Sequence, residues 1–132
     1  MRKIQMVDTK NQYLAIKKEV DESIQGVLDS ASYINGKVVQ DFSQSLASYL
    51  QVAHVIPCAN GTDALQIAMM ALGLKPGDEV ITPSFTYIAT TEVVALLGLT
   101  PIFVDVDPVT YCMDITSLKN AITPKTKAIV PV

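Results

Sequence analysis

The feature that most limits what this chain can fold into is an alternation between short apolar runs and stretches with a helical period. Apolar runs at residues 55–59, 79–83, 101–105 and 128–132 are separated by segments whose apolar residues recur every three or four positions. Leu65, Ala68, Met69 and Leu72 mark the first such segment. Residues 88–97, closed by Gly98, form the second. The third starts at Asp114, a natural helix cap, and runs through Ile122 with Ile115, Leu118, Ala121 and Ile122 as its buried face. Strands joined through helices imply crossover connections and a parallel sheet covered by helices on both faces. Such strands are buried on both sides and read as nearly continuous apolar runs, as these do. The expected fold class is α/β: part of a three-layer α/β/α arrangement around a mostly parallel sheet.

Two helices precede the first strand. Ile16, Val20, Ile24, Val27 and Leu28 share one face over residues 13–30. Asn35-Gly36 then breaks the pattern, and Val38, Phe42, Leu46 and Tyr49 define a second helix over residues 37–50. The expected division is a helical segment at 1–50 and a sheet-containing domain at 51–132. The two helices are expected either to pack on the sheet or to reach a partner subunit. The last apolar run stops at Val132 with no loop after it. In open α/β sheets chemistry gathers at the C-terminal ends of strands, so the chain reads as a truncated piece.

Composition narrows the function. Hydrophobic residues make up 49% of the 132 and charged residues 17%, so a packed core is expected rather than disorder. A net charge of −3 without a basic cluster points away from nucleic acid. Gln5 and Asp8 interrupt any signal-like stretch, and no apolar run is long enough to cross a bilayer. A cytoplasmic protein without membrane contact is expected. Cys58 and Cys112 lack metal or redox spacing and are expected in or near the core. A single histidine, His54, gives a metal site or a Ser-His-Asp triad little to build on.

Three segments carry chemistry. In Asn60-Gly61-Thr62-Asp63-Ala64-Leu65 a strand ends, a glycine turns the chain and a helix begins. The first amides of such a helix have no internal partner and lie at the positive end of its dipole, where a phosphate can bind. The alternative is an ordinary cap, with Asn60 or Thr62 binding the helix's own amides. The segment is neither G-x-G-x-x-G nor a P-loop, and one glycine suits a single phosphate better than a pyrophosphate. In the segment from Pro83 to Thr90, Phe85 and Tyr87 lie at the functional edge of the sheet. Either can stack on a flat cofactor or pack into the core beneath the loop. Asp105 and Asp107 suggest a metal or an acid–base pair, but Asp107-Pro108 reads better as a turn whose carboxylates bind nearby amides. The nine lysines lie in turns, on polar helix faces or in the N-terminal tail, and none suits a desolvated Schiff-base role.

Taken in order, these blocks resemble the DegT/DnrJ/EryC1/StrS sugar aminotransferases, which are fold type I enzymes dependent on pyridoxal 5'-phosphate. Residues 59–65 look like the family's phosphate cup. Residues 72–81 and 83–90 match its next two blocks. Phe103-Val104-Asp105-Val106-Asp107, Thr110-Tyr111, Asp114 and residues 125–132 follow at similar spacing, while Cys112 stands where Asn is common. The resemblance covers nearly the whole chain and implies that residues 51–132 belong to the N-terminal part of the cofactor-binding large domain.

It also implies roles. Amides around Gly61, Thr62 and Asp63 would hold the cofactor phosphate, and Tyr87 would stack on the pyridine ring. Ile34 and Gly36, in Tyr33-Ile34-Asn35-Gly36, would lie near the substrate in a family homodimer. The implied reaction moves an amino group, usually from glutamate, to a nucleoside-diphosphate keto-sugar for surface polysaccharides. Related alternatives are a sugar dehydratase of the same family and a non-catalytic phosphate-binding domain. The Schiff-base lysine and the pyridine-nitrogen aspartate lie beyond Val132 in relatives, so these 132 residues alone are not expected to transaminate. Strand 55–59 would also lack its usual neighbour, which predicts marginal stability or non-native association.

Overall fold

The computed structural model describes residues 6–132 and divides into two compact units, residues up to Pro57 and residues from Cys58 onward. The first unit holds α1 (Thr9–Ala15), α2 (Lys17–Ser30) and α3 (Lys37–Leu50). The single helix expected over residues 13–30 is instead broken at Ile16, which has φ −120° and ψ 18°. Its amide donates to the carbonyl of Tyr13 three residues back, which tightens the turn and restarts the ladder. The Tyr13 hydroxyl donates to Asp21 (2.7 Å) and the Lys17 ammonium lies 5.5 Å from the Tyr13 ring centre, so the break is bridged. No residue of these three helices is buried.

The second unit holds α4 (Gly61–Ala71), β1 (Glu79–Pro83), α5 (Ala89–Leu96), β2 (Thr100–Val104), α6 (Ile115–Ala121) and β3 (Thr126–Ile129). The sheet order is β2-β1-β3, and both pairings are parallel. The ladder extends past the named strands through Ser84 N–H to Val104 O and Val130 N–H to Ile81 O, both 2.9 Å. β1 is the middle strand and the most deeply buried.

Successive residues of β1 point to opposite faces, and each face has its own core. On one side Val80 packs with Met69 of α4, Val93 and Val94 of α5, and Leu99. On the other Ile81 packs with Val104 and Met113, backed by Leu118 and Ala121 of α6. Helices therefore cover both faces of a parallel sheet, giving the three-layer arrangement. Gly73, Gly77 and Gly98 have φ of 67°, 89° and 70°, and Gly77 donates to the Gly98 carbonyl in the turn that leads α4 into β1.

Four expectations need correction. Residues 55–59 form no strand: the run carries no ladder bonds, Pro57 offers no amide, and only Val55 is even partly buried. The last strand occupies Thr126–Ile129 rather than 128–132, because Glu79 pairs with Thr126 and the register shifts between Glu79 and Val80. Ile115 and Ile122 are more than half exposed, since only Leu118 and Ala121 of α6 face the sheet. Cys58 and Cys112 are both exposed, one in the unpaired segment before α4 and the other in the hydrogen-bonded loop after β2.

Candidate functional site

The connection from α4 into β1 lies beside the connection from α5 into β2. Gly77 N–H donates to Gly98 O (3.1 Å) and Thr100 N–H donates to Asp78 O (2.9 Å). Both helices therefore end at the N-terminal edge of the strands, and both begin at the C-terminal edge. That places the first turn of α4 and the loop carrying Tyr87 at one edge of the sheet, where open α/β folds bind ligands.

The first turn of α4 is built by Asn60, which is extended (φ −165°, ψ 176°). Its Oδ1 accepts from the Asp63 amide (2.9 Å), and its carbonyl accepts from the Ala64 amide (3.1 Å). Its Nδ2 donates to the Asp63 carboxylate (3.3 Å). The amides of Gly61 and Thr62 receive no acceptor among the described residues. Gly61 is exposed, and a Cβ built on it would meet no atom within 4 Å. The helix tip thus opens outward with two free donors, and the Thr62 side chain stands beside them.

In the β1–α5 loop Tyr87 is 78% exposed. Its carbonyl accepts from the Thr90 amide (3.3 Å), which fixes the backbone and leaves the ring uncovered. Phe85 is 65% exposed and is not in the core. Its ring pairs with that of Tyr111, with centroids 5.7 Å apart and planes tilted by 39°. Tyr111 has φ 58°, unusual for a residue with a side chain. The loop holding it is braced by Asp107, whose Oδ1 accepts from the Val109 amide (2.9 Å), the Thr110 amide (2.8 Å) and the Thr110 hydroxyl (3.1 Å). The Thr110 and Val109 amides, with the Thr110 hydroxyl, hold the Asp107 carboxyl below the usual carboxylate range. Asp105 accepts from the Val106 amide (2.8 Å). The two aspartates are thus engaged as turn residues.

Ile34 and Gly36 belong to the first unit, in the turn before α3. Ile34 is 88% exposed, and Gly36 is the cap residue of α3. A Cβ at Gly36 would lie 2.6 Å from the Ser32 carbonyl oxygen, so a local contact already requires glycine there. His54 lines a separate cavity of about 530 Å³ with Asn35, Val39, Gln40, Ser43 and Ala47. Every described lysine is exposed, and Lys3 lies outside the described residues. Sequence reasoning overlooked the clamp between Asn60 and Asp63. Its signal was present, since a capping residue followed three positions later by an acid favours a reciprocal pair. The Phe85–Tyr111 pairing, made between two loops, had no such local signal.

The chain matches the model of the DegT/DnrJ/EryC1/StrS aminotransferase family over residues 14–132, and it belongs to that family. More particularly, it is 55% identical, over 98% of its length, to UDP-2-acetamido-2-deoxy-3-oxo-D-glucuronate aminotransferase of Pseudomonas aeruginosa, of which it covers 36%. Among solved structures it resembles DesV of S. venezuelae in complex with a ketimine intermediate. The TM-score is 0.94 and the identity 37%, over 99% of this chain and 35% of that one. It also resembles ntda of Bacillus subtilis with bound cofactor PMP. There the TM-score is 0.89 and the identity 35%, over 99% and 30% of the two chains. The chain spans about a third of the length of these relatives.

Proposed function

We propose that this chain is part of a pyridoxal-phosphate-dependent aminotransferase that transfers an amino group to a nucleotide-linked keto-sugar. The observation that carries the proposal is the open first turn of α4, with the Gly61 and Thr62 amides free at the same sheet edge as an uncovered Tyr87 ring. These residues fit the cofactor. Two unpaired amides at the positive end of a helix suit one phosphate, and an exposed aromatic ring suits a planar heterocycle. Gly61 and Thr62, with Asp63 completing the turn, would hold the phosphate, and Tyr87 would cover the ring. When bound, the cofactor supplies an electron sink.

The chain's own part is to bind and orient. The cradle fixes the phosphate end, and the Tyr87 ring limits tilt and keeps water off one face. The exposed lysines described here do not suit the Schiff-base role, which falls to the larger part of the family fold that this chain does not span. The relative's name supports a UDP-linked 3-oxo sugar acid as the acceptor class. The family resemblance supports glutamate as donor, a cytoplasmic homodimer, surface-polysaccharide precursors as products, and Ile34 and Gly36 near the substrate. Among the described residues no helix is long and apolar enough to cross a membrane.

The test is to incubate the intact protein with pyridoxal phosphate, glutamate and a UDP-linked 3-keto sugar, and to measure 2-oxoglutarate and the amino-sugar product. A protein that takes up no cofactor, or that releases water from the sugar without consuming glutamate, would overturn the proposal.

A further inference from the structure

We infer that Asn60 is a positioning residue for the phosphate cradle, setting which donors face the ligand; the inference rests on the cofactor reading above. A helix start presents several amides without internal partners. Asn60 removes one of them by taking the Asp63 amide on its Oδ1 at 2.9 Å. Its Nδ2 then holds the Asp63 carboxylate at 3.3 Å. That second bond matters because a carboxylate in the first helical turn is drawn to the same positive end as the phosphate. Held by Asn60, it has a partner and is kept from swinging across the tip. The backbone of Asn60 is fixed in turn, its carbonyl accepting from Ala64 (3.1 Å) and from the Cys58 thiol (3.3 Å).

What remains for a phosphate is the amide pair of Gly61 and Thr62 with the Thr62 hydroxyl. Asp63 serves the site through Asn60 rather than through its own amide.

Gly61 gives independent reason to place a ligand at this tip. Its φ is not in the left-handed region, and a Cβ there would meet nothing of the chain within 4 Å. Neither backbone strain nor packing within the chain calls for glycine at this position. Close approach by something from outside does.

The experiment separates the clamp from the site. Dissociation constants for pyridoxal phosphate and for pyridoxal, which lacks the phosphate, are measured by absorbance titration on the intact protein. The same titrations are run on Asn60→Gly and Asn60→Ser. Glycine removes the clamp at little cost to the helix, and serine restores an acceptor for the Asp63 amide. Asn60→Gly is expected to weaken pyridoxal phosphate by about tenfold, on the order of one lost charge-assisted bond, while leaving pyridoxal unchanged. Asn60→Ser is expected to recover most of the affinity.

If the wild type prefers pyridoxal phosphate and Asn60→Gly shows the same preference, the positioning role is overturned and the phosphate site stands. A wild type that binds both compounds equally removes the phosphate site itself. Should Asn60→Gly weaken both compounds alike, its effect is on folding. Asn60→Ser then decides: a loss of the phosphate preference in a protein that still binds pyridoxal normally overturns the role, and a retained preference supports it.

Discussion

Val80 and Ile81 are neighbours on β1, both with no solvent exposure, yet they pack into different cores, one beneath α4 and α5 and the other beneath α6. Each residue therefore reports on one helical layer. Ile81→Ala should cost about 2–5 kcal/mol, the usual range for a buried isoleucine truncated to alanine, as measured by urea unfolding. Hydrogen exchange should locate the damage. Amides of α6 should lose more protection than those of α5 in Ile81→Ala, and Val80→Ala should reverse the order. Equal loss in both layers would show that the two cores melt as one.

How far the sequence could be read depended on whether an element's reasons were local. The helix over Lys37–Leu50 and the strand over Glu79–Pro83 carry their period and their punctuation in consecutive residues, and both stand where that period put them. The cap at Asp114 is equally local, its carboxylate accepting from the Ser117 amide at 2.6 Å. Residues 55–59 misled because an apolar run becomes a strand only when a neighbouring strand supplies the ladder, and hydropathy holds no record of that neighbour. The break at Ile16 was invisible because the apolar period continues through it while the backbone does not. At the site, Gly61 and Tyr87 were legible as residue types at a strand–helix junction and a loop. The consumption of the Asp63 amide by Asn60 was not, because a cap and an anion site use the same donors.

Thr82 is fully buried on the face of β1 shared with Val80, and its Oγ1 has no hydrogen-bond partner. A buried hydroxyl without a partner costs roughly 1–3 kcal/mol of desolvation. Thr82→Val keeps the branched shape and removes the oxygen. The variant should be as stable as the parent or more so, by up to about 2 kcal/mol, with a higher Tm by calorimetry. A loss of more than about 1 kcal/mol would show that the hydroxyl has a partner in solution.

The loop that carries Tyr111 depends on an ionised Asp107, whose folded pKa is lowered by the amides of Thr110 and Val109. The sign follows from linkage. A depressed carboxyl contributes stability that is present above its unfolded pKa and lost as the pH falls through the folded value. Loop order should therefore be full at neutral pH and should persist through the ordinary carboxylate range. It should fail only in stronger acid. Tyr111 ring signals in an NMR titration should follow this course. In Asp107→Asn the acid step should vanish, while the Thr110 and Val109 amides exchange faster at every pH. An unchanged titration in that variant would assign the acid step to another group.

Gly61 and Tyr87 make opposite predictions for stability and binding, which separates a ligand site from a structural turn. Gly61 has open space around its α-carbon and no left-handed φ, so Gly61→Ala should fold as well as the parent or gain up to about 1 kcal/mol of helix stability. The added methyl should still crowd an incoming phosphate and weaken pyridoxal phosphate by at least about tenfold, given that oriented backbone donors lose strength steeply with distance and angle. Tyr87→Leu removes a ring that is 78% exposed, so the melting temperature should hardly move. Affinity for pyridoxal and for pyridoxal phosphate should fall together, by a factor of about 3–10, because stacking acts on the ring both compounds share. Titration of the two variants with the two compounds reads all four values. A Gly61→Ala protein that binds pyridoxal phosphate normally would mean that the helix tip holds no anion, and the assignment of Tyr87 to the ring would then lose its anchor.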